Sequence, residues 1–137
     1  PMTQNALTPK ETLLKAAREA KENTYSPYSD FPVGAAVLLE DGQIFKGTNI
    51  ENASYGLTCC AERVALFSAR TASSAKVIGL AISIGHHEAD LPKDSLVPCG
   101  ACRQVMSEFL GPEVPVHVDG NRSFTMNELL PHSFKLP

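Results

Sequence analysis

Tryptophan is absent from this chain, aromatic residues make up only 7%, and Lys plus Arg (12) fall short of Asp plus Glu (15). Proteins that track a nucleic-acid strand rely on basic grooves and stacking aromatics, so a formal charge of −3 with few aromatics disfavours that partner. Small or neutral substrates are favoured instead. No run approaches the ~18 apolar residues of a membrane span. The N-terminal stretch is polar and rich in Thr, Lys and Glu, unlike a basic region leading into an apolar one. A cytoplasmic location is the expectation. Pro1 before Met2 reads as a remnant of expression, with Met2 as the initiator. Internal repeats, linkers and low-complexity tracts are also missing. Cysteines number four, two of them spaced Cys99-x-x-Cys102, which points to metal or redox chemistry in a reduced compartment rather than a disulfide scaffold.

What is present suffices for a core. At 137 residues, 43% hydrophobic and 20% charged, the chain reads as one domain over residues 1–137. A chain of this size buries roughly 65–70% of its unfolded surface and needs no metal merely to fold.

Thr8 as N-cap, Pro9 at the first helical position and Glu11 three residues on predict a helix from Thr8 to about Glu22, with Leu13, Leu14, Ala17 and Ala20 on its apolar face. Two prolines in Tyr25–Pro32 stop it. Val33–Leu39 and Gln43–Thr48 read as a hairpin around Asp41-Gly42. A helix is expected over Cys60–Arg70, a central strand covered on both faces over Lys76–Ile84, and a polar connection from Gly85 to Leu96. A further helix over Pro98–Leu110, a strand at Val114–Val118, a short strand within Asn121–Met126 and a helical turn capped by Asn127 complete the pattern. The β-β-α-β-α-β order indicates α/β layers.

The chemistry sits in Thr58-Cys59-Cys60-Ala61-Glu62-Arg63 and Pro98-Cys99-Gly100-Ala101-Cys102-Arg103-Gln104. Cys60, Cys99 and Cys102 form a three-thiolate zinc set, which leaves the fourth tetrahedral position open, as catalytic rather than structural zinc requires. Both motifs fall at helix starts, where unpaired N–H groups stabilise thiolates. Glu62 is placed to handle protons without ligating. A Cys or His, then x-Glu, then Pro-Cys-x-x-Cys is the arrangement of zinc deaminases. Three thiolates leave excess negative charge at the metal, and Arg63 or Arg103, Arg63 preferred, is the candidate to offset it by hydrogen bonding a sulfur. Other readings stay open: Cys99-x-x-Cys102 alone could be a redox pair or half a zinc knuckle, and Glu62 could merely complement a helix dipole. Cys59 is expected to pack away from the metal; if it ligated, the site would be closed.

At these motifs the chain resembles the short, single-domain cytidine deaminases that form homotetramers. The likeness extends through Tyr25–Ala36, Gly47–Tyr55, Cys60–Arg63 and Pro98–Met106, and covers about residues 10 to 134 in register. It implies a three-layer α/β/α fold around a mixed sheet of about five strands. It also implies one Zn²⁺ per chain, Asn49 and Glu51 at the sugar, Phe31 against the pyrimidine, the Ala61 N–H at the base carbonyl, Tyr55 among the substrate contacts, and Phe134 reaching a neighbouring subunit's site. Without the resemblance, Asn49 and Glu51 read as a polar loop bonding to itself, Phe31 as core, and Phe134 as simple packing. Gly56 and Cys59 depart from the family pattern, which expects proline and a bulkier apolar residue. His86, His87, His117 and His132 match no ligand position, and His86-His87 reads as solvated loop.

The expected activity is therefore hydrolytic deamination of cytidine and 2′-deoxycytidine, a step of pyrimidine salvage, with Glu62 moving the protons. Rivals are a deaminase of another aminopyrimidine nucleoside, such as blasticidin S, and a non-catalytic zinc- or nucleoside-binding protein. No nucleic-acid or membrane partner is expected.

Overall fold

A computed structural model describes residues 6–137; the readings of Pro1 and Met2 lie outside the described residues. Helix α1 (Pro9–Lys21) begins at Thr8, whose hydroxyl accepts the Glu11 N–H while the Glu11 carboxylate accepts the Thr8 N–H. Strands β1 (Val33–Leu39) and β2 (Ile44–Thr48) form the predicted hairpin, with Gly42 at φ 91° in its turn. Helix α2 (Ala61–Ala72), β3 (Val77–Ile84), α3 (Gly100–Phe109), β4 (Pro115–Val118), β5 (Ser123–Thr125) and α4 (Met126–Leu129) follow. The sheet order is β2-β1-β3-β4-β5, antiparallel except for the parallel β3–β4 pair, whose connection carries α3.

β3 is the middle strand, and the near-continuous apolar run that marked it in the sequence is buried from Gly79 to Ile84. Its alternate residues serve two cores, because successive side chains on a strand point to opposite faces. Ala81 joins Ala36, Leu13, Ala16 and Ala17 beneath α1. Leu80 and Ile82 join Val37, Leu39, Leu66, Met106 and Val116 beneath α2 and α3. Each fully buried aliphatic of this kind contributes roughly 1.5–3 kcal/mol. The result is the expected three-layer α/β/α arrangement.

Two glycines let the helices come close. A Cβ on Gly34 would lie 2.1 Å from the Ala17 carbonyl oxygen of α1, and one on Gly47 would lie 2.4 Å from the Ala65 nitrogen of α2. Since Gly47 pairs with Ala35, the neighbour of Gly34, the two helices press on opposite faces of the hairpin at one level. The first turn of α2 is thereby held against β2, which matters because that turn carries Ala61 and Glu62.

One terminus differs from expectation. Thr125, not Asn127, caps α4: its backbone is extended (φ −97°, ψ 160°), its hydroxyl accepts the Glu128 N–H, and Glu128 reciprocates. Thr125 ends β5 and so already has the extended backbone an N-cap needs, whereas Asn127 lies within the helix and is exposed. Among the described residues, no helix is long and apolar enough to cross a membrane.

Candidate active site

Cys60 is the N-cap of α2 and Cys99 the N-cap of α3, each with an extended backbone. Cys102 lies in the first turn of α3 and is completely buried. Its N–H points at the Cys99 Sγ, 3.4 Å away. α2 and α3 pack side by side, and the three Sγ atoms come within 4.8 Å of one another. Sulfurs on a tetrahedral zinc stand roughly 3.8 Å apart, from Zn–S bonds of about 2.3 Å. Small side-chain adjustments therefore suffice to hold the ion.

The electrostatics of the trio also fit a cation. A hydrogen bond with Cys102, together with the Arg63 guanidinium and Cys99, lowers the Cys60 thiol to about 5 despite burial. That same bond with Cys60, with burial and the nearby Glu62 charge, pushes Cys102 up instead. The Cys60 thiolate thus holds the proton on Cys102, and a divalent cation between the sulfurs is what would release it. Arg63 directs Nη2 to the Cys60 sulfur at 3.2 Å, and its own pKa is raised chiefly by that bond.

Arg103, the other candidate, does something different. Its Nε donates to the Pro98 carbonyl (2.8 Å) and Nη1 to the Leu129 carbonyl (2.9 Å), tying the entrance of α3 to the end of α4. Cys59 stays out of the thiol cluster. Its backbone exchanges two 2.9 Å hydrogen bonds with Ile50, and one residue on an extended chain carries Cys60 to the other side.

Glu62 is 4% exposed and lies one residue into the helix from the thiols' entrance. Burial is the main reason its carboxyl is pushed up to about 7, with the Cys60 charge adding to the effect. A cavity of about 400 Å³ opens onto it, and Phe31, Asn49, Glu51 and Ala61 line that cavity together with Cys60 and Cys99. Ala61 occupies the first position of α2, where backbone N–H groups have no intrahelical acceptor.

The polar pair Asn49 and Glu51 is anchored locally as well. Asn49 accepts the Val33 N–H on Oδ1 (3.0 Å) and donates from Nδ2 to the Phe31 carbonyl (2.8 Å). Glu51 accepts the Tyr28 and Ser29 N–H groups (3.0 and 3.2 Å) and the Ser29 hydroxyl. An ionised carboxylate offers about four acceptor sites and an amide nitrogen two hydrogens, so each keeps capacity toward the cavity.

Tyr55 and Phe134 are both exposed. Tyr55 is 72% exposed and packs edge-on against Tyr28 with ring centroids 5.8 Å apart, at a second opening that shares Ser29, Glu51 and Thr58 with the cavity. A one-turn 3₁₀ helix over Tyr55–Leu57 carries it outward. Phe134 is 67% exposed and does not line its own chain's cavity. Ser29, Val33, Thr58, Ile84, Ser95 and Val97 complete the wall, and none of them was expected there from sequence. Strand residues such as Val33 and Ile84 carry no chemical signal, since an apolar strand reads only as core.

The profile of the cytidine and deoxycytidylate deaminase zinc-binding region matches residues 7–118. A cytidine deaminase of Halalkalibacterium halodurans is 46% identical over 130 residues, covering 91% of this chain and 93% of that protein. One from Sporosarcina psychrophila is 42% identical over 128 residues, covering 90% of each. Among solved structures, cytidine deaminase from Burkholderia pseudomallei superposes with a TM-score of 0.82 at 43% identity, covering 93% of this chain and 100% of that one. The converging thiols and buried carboxyl thus lie inside a match that spans most of the chain in both sequence and fold, and the chain belongs to the zinc-dependent cytidine and deoxycytidylate deaminase family.

Proposed function

We propose that this chain deaminates free cytidine and 2′-deoxycytidine hydrolytically to uridine and 2′-deoxyuridine, releasing ammonia, as a step in pyrimidine salvage. The observation that carries this reading is the buried Glu62 carboxyl beside the three-thiol cluster, at the head of a nucleoside-sized cavity.

Zinc held by Cys60, Cys99 and Cys102 would supply the acidity that lets a water lose its proton near neutral pH. Glu62 takes that proton and passes protons to ring N3 and then to the departing amine. Burial raises the Glu62 carboxyl above the ordinary carboxylate range, a direction that suits a group that must both take and return a proton. Phe31 packs against the pyrimidine, and the Ala61 N–H donates to the base carbonyl. Asn49 and Glu51 bond the sugar hydroxyls, their local hydrogen bonds keeping them in place before substrate arrives. Arg63 offsets the negative charge gathered by the sulfurs.

The whole of residues 1–137 is read as one domain working within a homotetramer. The exposure of Phe134 supports its contributing to a neighbour's site rather than its own. A cytoplasmic setting is favoured by the four free cysteines, three of which an oxidising compartment would put at risk.

The ultraviolet change on mixing zinc-quantified protein with cytidine tests the reading, because loss of the exocyclic amine alters the absorption of the base. Conversion with ammonia release is expected. No conversion with one zinc bound per chain overturns it in favour of another aminopyrimidine or a binding role.

A further inference from the structure

Asp30 is the one non-glycine residue among those described with a positive φ, 52°. That left-handed conformation crowds Cβ against the following carbonyl, and aspartate tolerates it better than most residues without favouring it. Its position gives it consequence. Ser29 and Phe31, the residues on either side, both line the cavity. The Ser29 hydroxyl bonds the Glu51 carboxylate and accepts the Phe31 N–H at 3.0 Å, while the Phe31 carbonyl receives Asn49 Nδ2. A change of backbone at Asp30 would therefore disturb Phe31, Glu51 and Asn49 together.

The corner is held from across the molecule. His86 Nε2 lies 3.0 Å from the Asp30 carbonyl oxygen and 3.3 Å from its carboxylate. Both oxygens can only accept, so Nε2 carries the hydrogen and donates. His86 itself follows Gly85, whose φ of 77° is the left-handed region that favours glycine; the Phe31 ring lies beside it, Cε1 standing 3.5 Å from where a Cβ would be. Gly85 is pinned on both sides, its N–H donating to the Pro32 carbonyl (2.7 Å) and its carbonyl accepting Lys21 Nζ (2.8 Å). The donor thus stands at the end of β3; His86 is exposed, as the sequence reading of a solvated loop expected, and makes a specific contact as well.

We propose that His86 is a positioning residue for the substrate cavity: by holding the Asp30 carbonyl it keeps the left-handed corner formed, and so keeps Phe31 and Ser29 on the cavity wall. The consequence for catalysis rests on the cytidine reading; the consequence for the loop does not.

Wild type, His86→Ala and His86→Gln, all zinc-loaded, separate the two. Glutamine preserves an N–H donor at similar reach. Hydrogen–deuterium exchange should quicken at Ser29 and Phe31 in His86→Ala, without faster exchange in β3 or α2, and return toward wild type in His86→Gln. With cytidine, His86→Ala should raise KM about three- to tenfold, the worth of one exposed hydrogen bond, with kcat changed less than about twofold. Unchanged exchange and KM in His86→Ala overturn the proposal. So does faster exchange throughout the chain, or no recovery in His86→Gln. Wild type that fails to convert cytidine while the exchange pattern appears as expected removes the functional reading and leaves the positioning role standing.

Discussion

Arg63 Nη2 and the Cys60 sulfur lie 3.2 Å apart, three residues along the chain and one turn of α2 from each other. The spacing is that of neighbours on a helix surface, so the contact is set by the helix itself once Cys60 becomes its N-cap. Arg63 Nε is buried and has no hydrogen-bond partner among the described residues. Replacing Arg63 by Ala should weaken zinc binding about 10- to 100-fold, the usual cost of losing a partner that tunes a ligand. Chelator competition monitored by metal release measures this directly. Full zinc retention together with full turnover would show that the sulfurs need no cationic partner.

Glu62→Gln tests the proton-transfer role with little change of shape. Zinc content should stay at one per chain, because Glu62 is outside the thiol cluster. Turnover of cytidine should fall by about 10²- to 10⁴-fold, the range for a positioned acid–base group. Elemental analysis and the ultraviolet assay on the same sample report the two quantities, and retained activity would sink the assignment.

Acid stability should depend on Asp119. Burial alone would push its carboxyl up, but Arg18 bonds it through Nε and Nη2 (2.8 and 2.7 Å), and Ser83 and the Lys21 charge add to the pull. Together these hold it below the ordinary carboxylate value of 3.8. A carboxyl whose folded pKa is depressed stabilises the protein above its unfolded pKa, and that stability is lost as pH falls through the folded value. Asp119→Ala should therefore cost roughly 1–3 kcal/mol at neutral pH, discounted because the Arg18 side chain is half exposed. The difference from wild type should shrink below about pH 4. Urea midpoints across pH would reveal this; a constant difference down to pH 2 would contradict it.

Gly47→Ala should destabilise the protein, because its methyl would meet backbone atoms of Ala61 and Ala65 rather than a movable side chain. Overpacking typically costs about 1–3 kcal/mol. Since α2 must retreat to accommodate it, zinc affinity should fall as well. Gly56→Ala, where a Cβ would meet nothing within 4 Å, is the control. A Gly47 variant with an unshifted denaturation midpoint would mean that β2 does not brace α2.

Much of this protein was legible in one dimension. Periodicity, the Thr8–Glu11 cap and Asp41-Gly42 located α1 and the hairpin nearly to the residue, because local signals of that kind depend on the backbone alone. The thiol set and Glu62 were legible for a related reason: thiolates and a carboxylate at helix entrances are residue types that chemistry, not packing, demands. The cap of α4 was missed because two residues two apart both qualify as caps, and only the extended end of β5 chose Thr125.

Tertiary structure decided what no spacing could. Arg63 and Arg103 follow their motifs alike in sequence, yet one reaches sulfur and the other the carbonyls of Pro98 and Leu129, since α4 packs against α3. Asp119, just past the strand read at Val114–Val118 and given no role from sequence, became the partner of Arg18 in a helix 101 residues away. Asp30 and His86, 56 residues apart, met because β3 ends beside the loop that precedes β1. Sequence by itself determined the chemistry available and the local elements that present it. Which groups face which was left to sheet order and helix docking, because contacts between distant segments exist only once the hydrophobic faces on both sides of β3 have been buried.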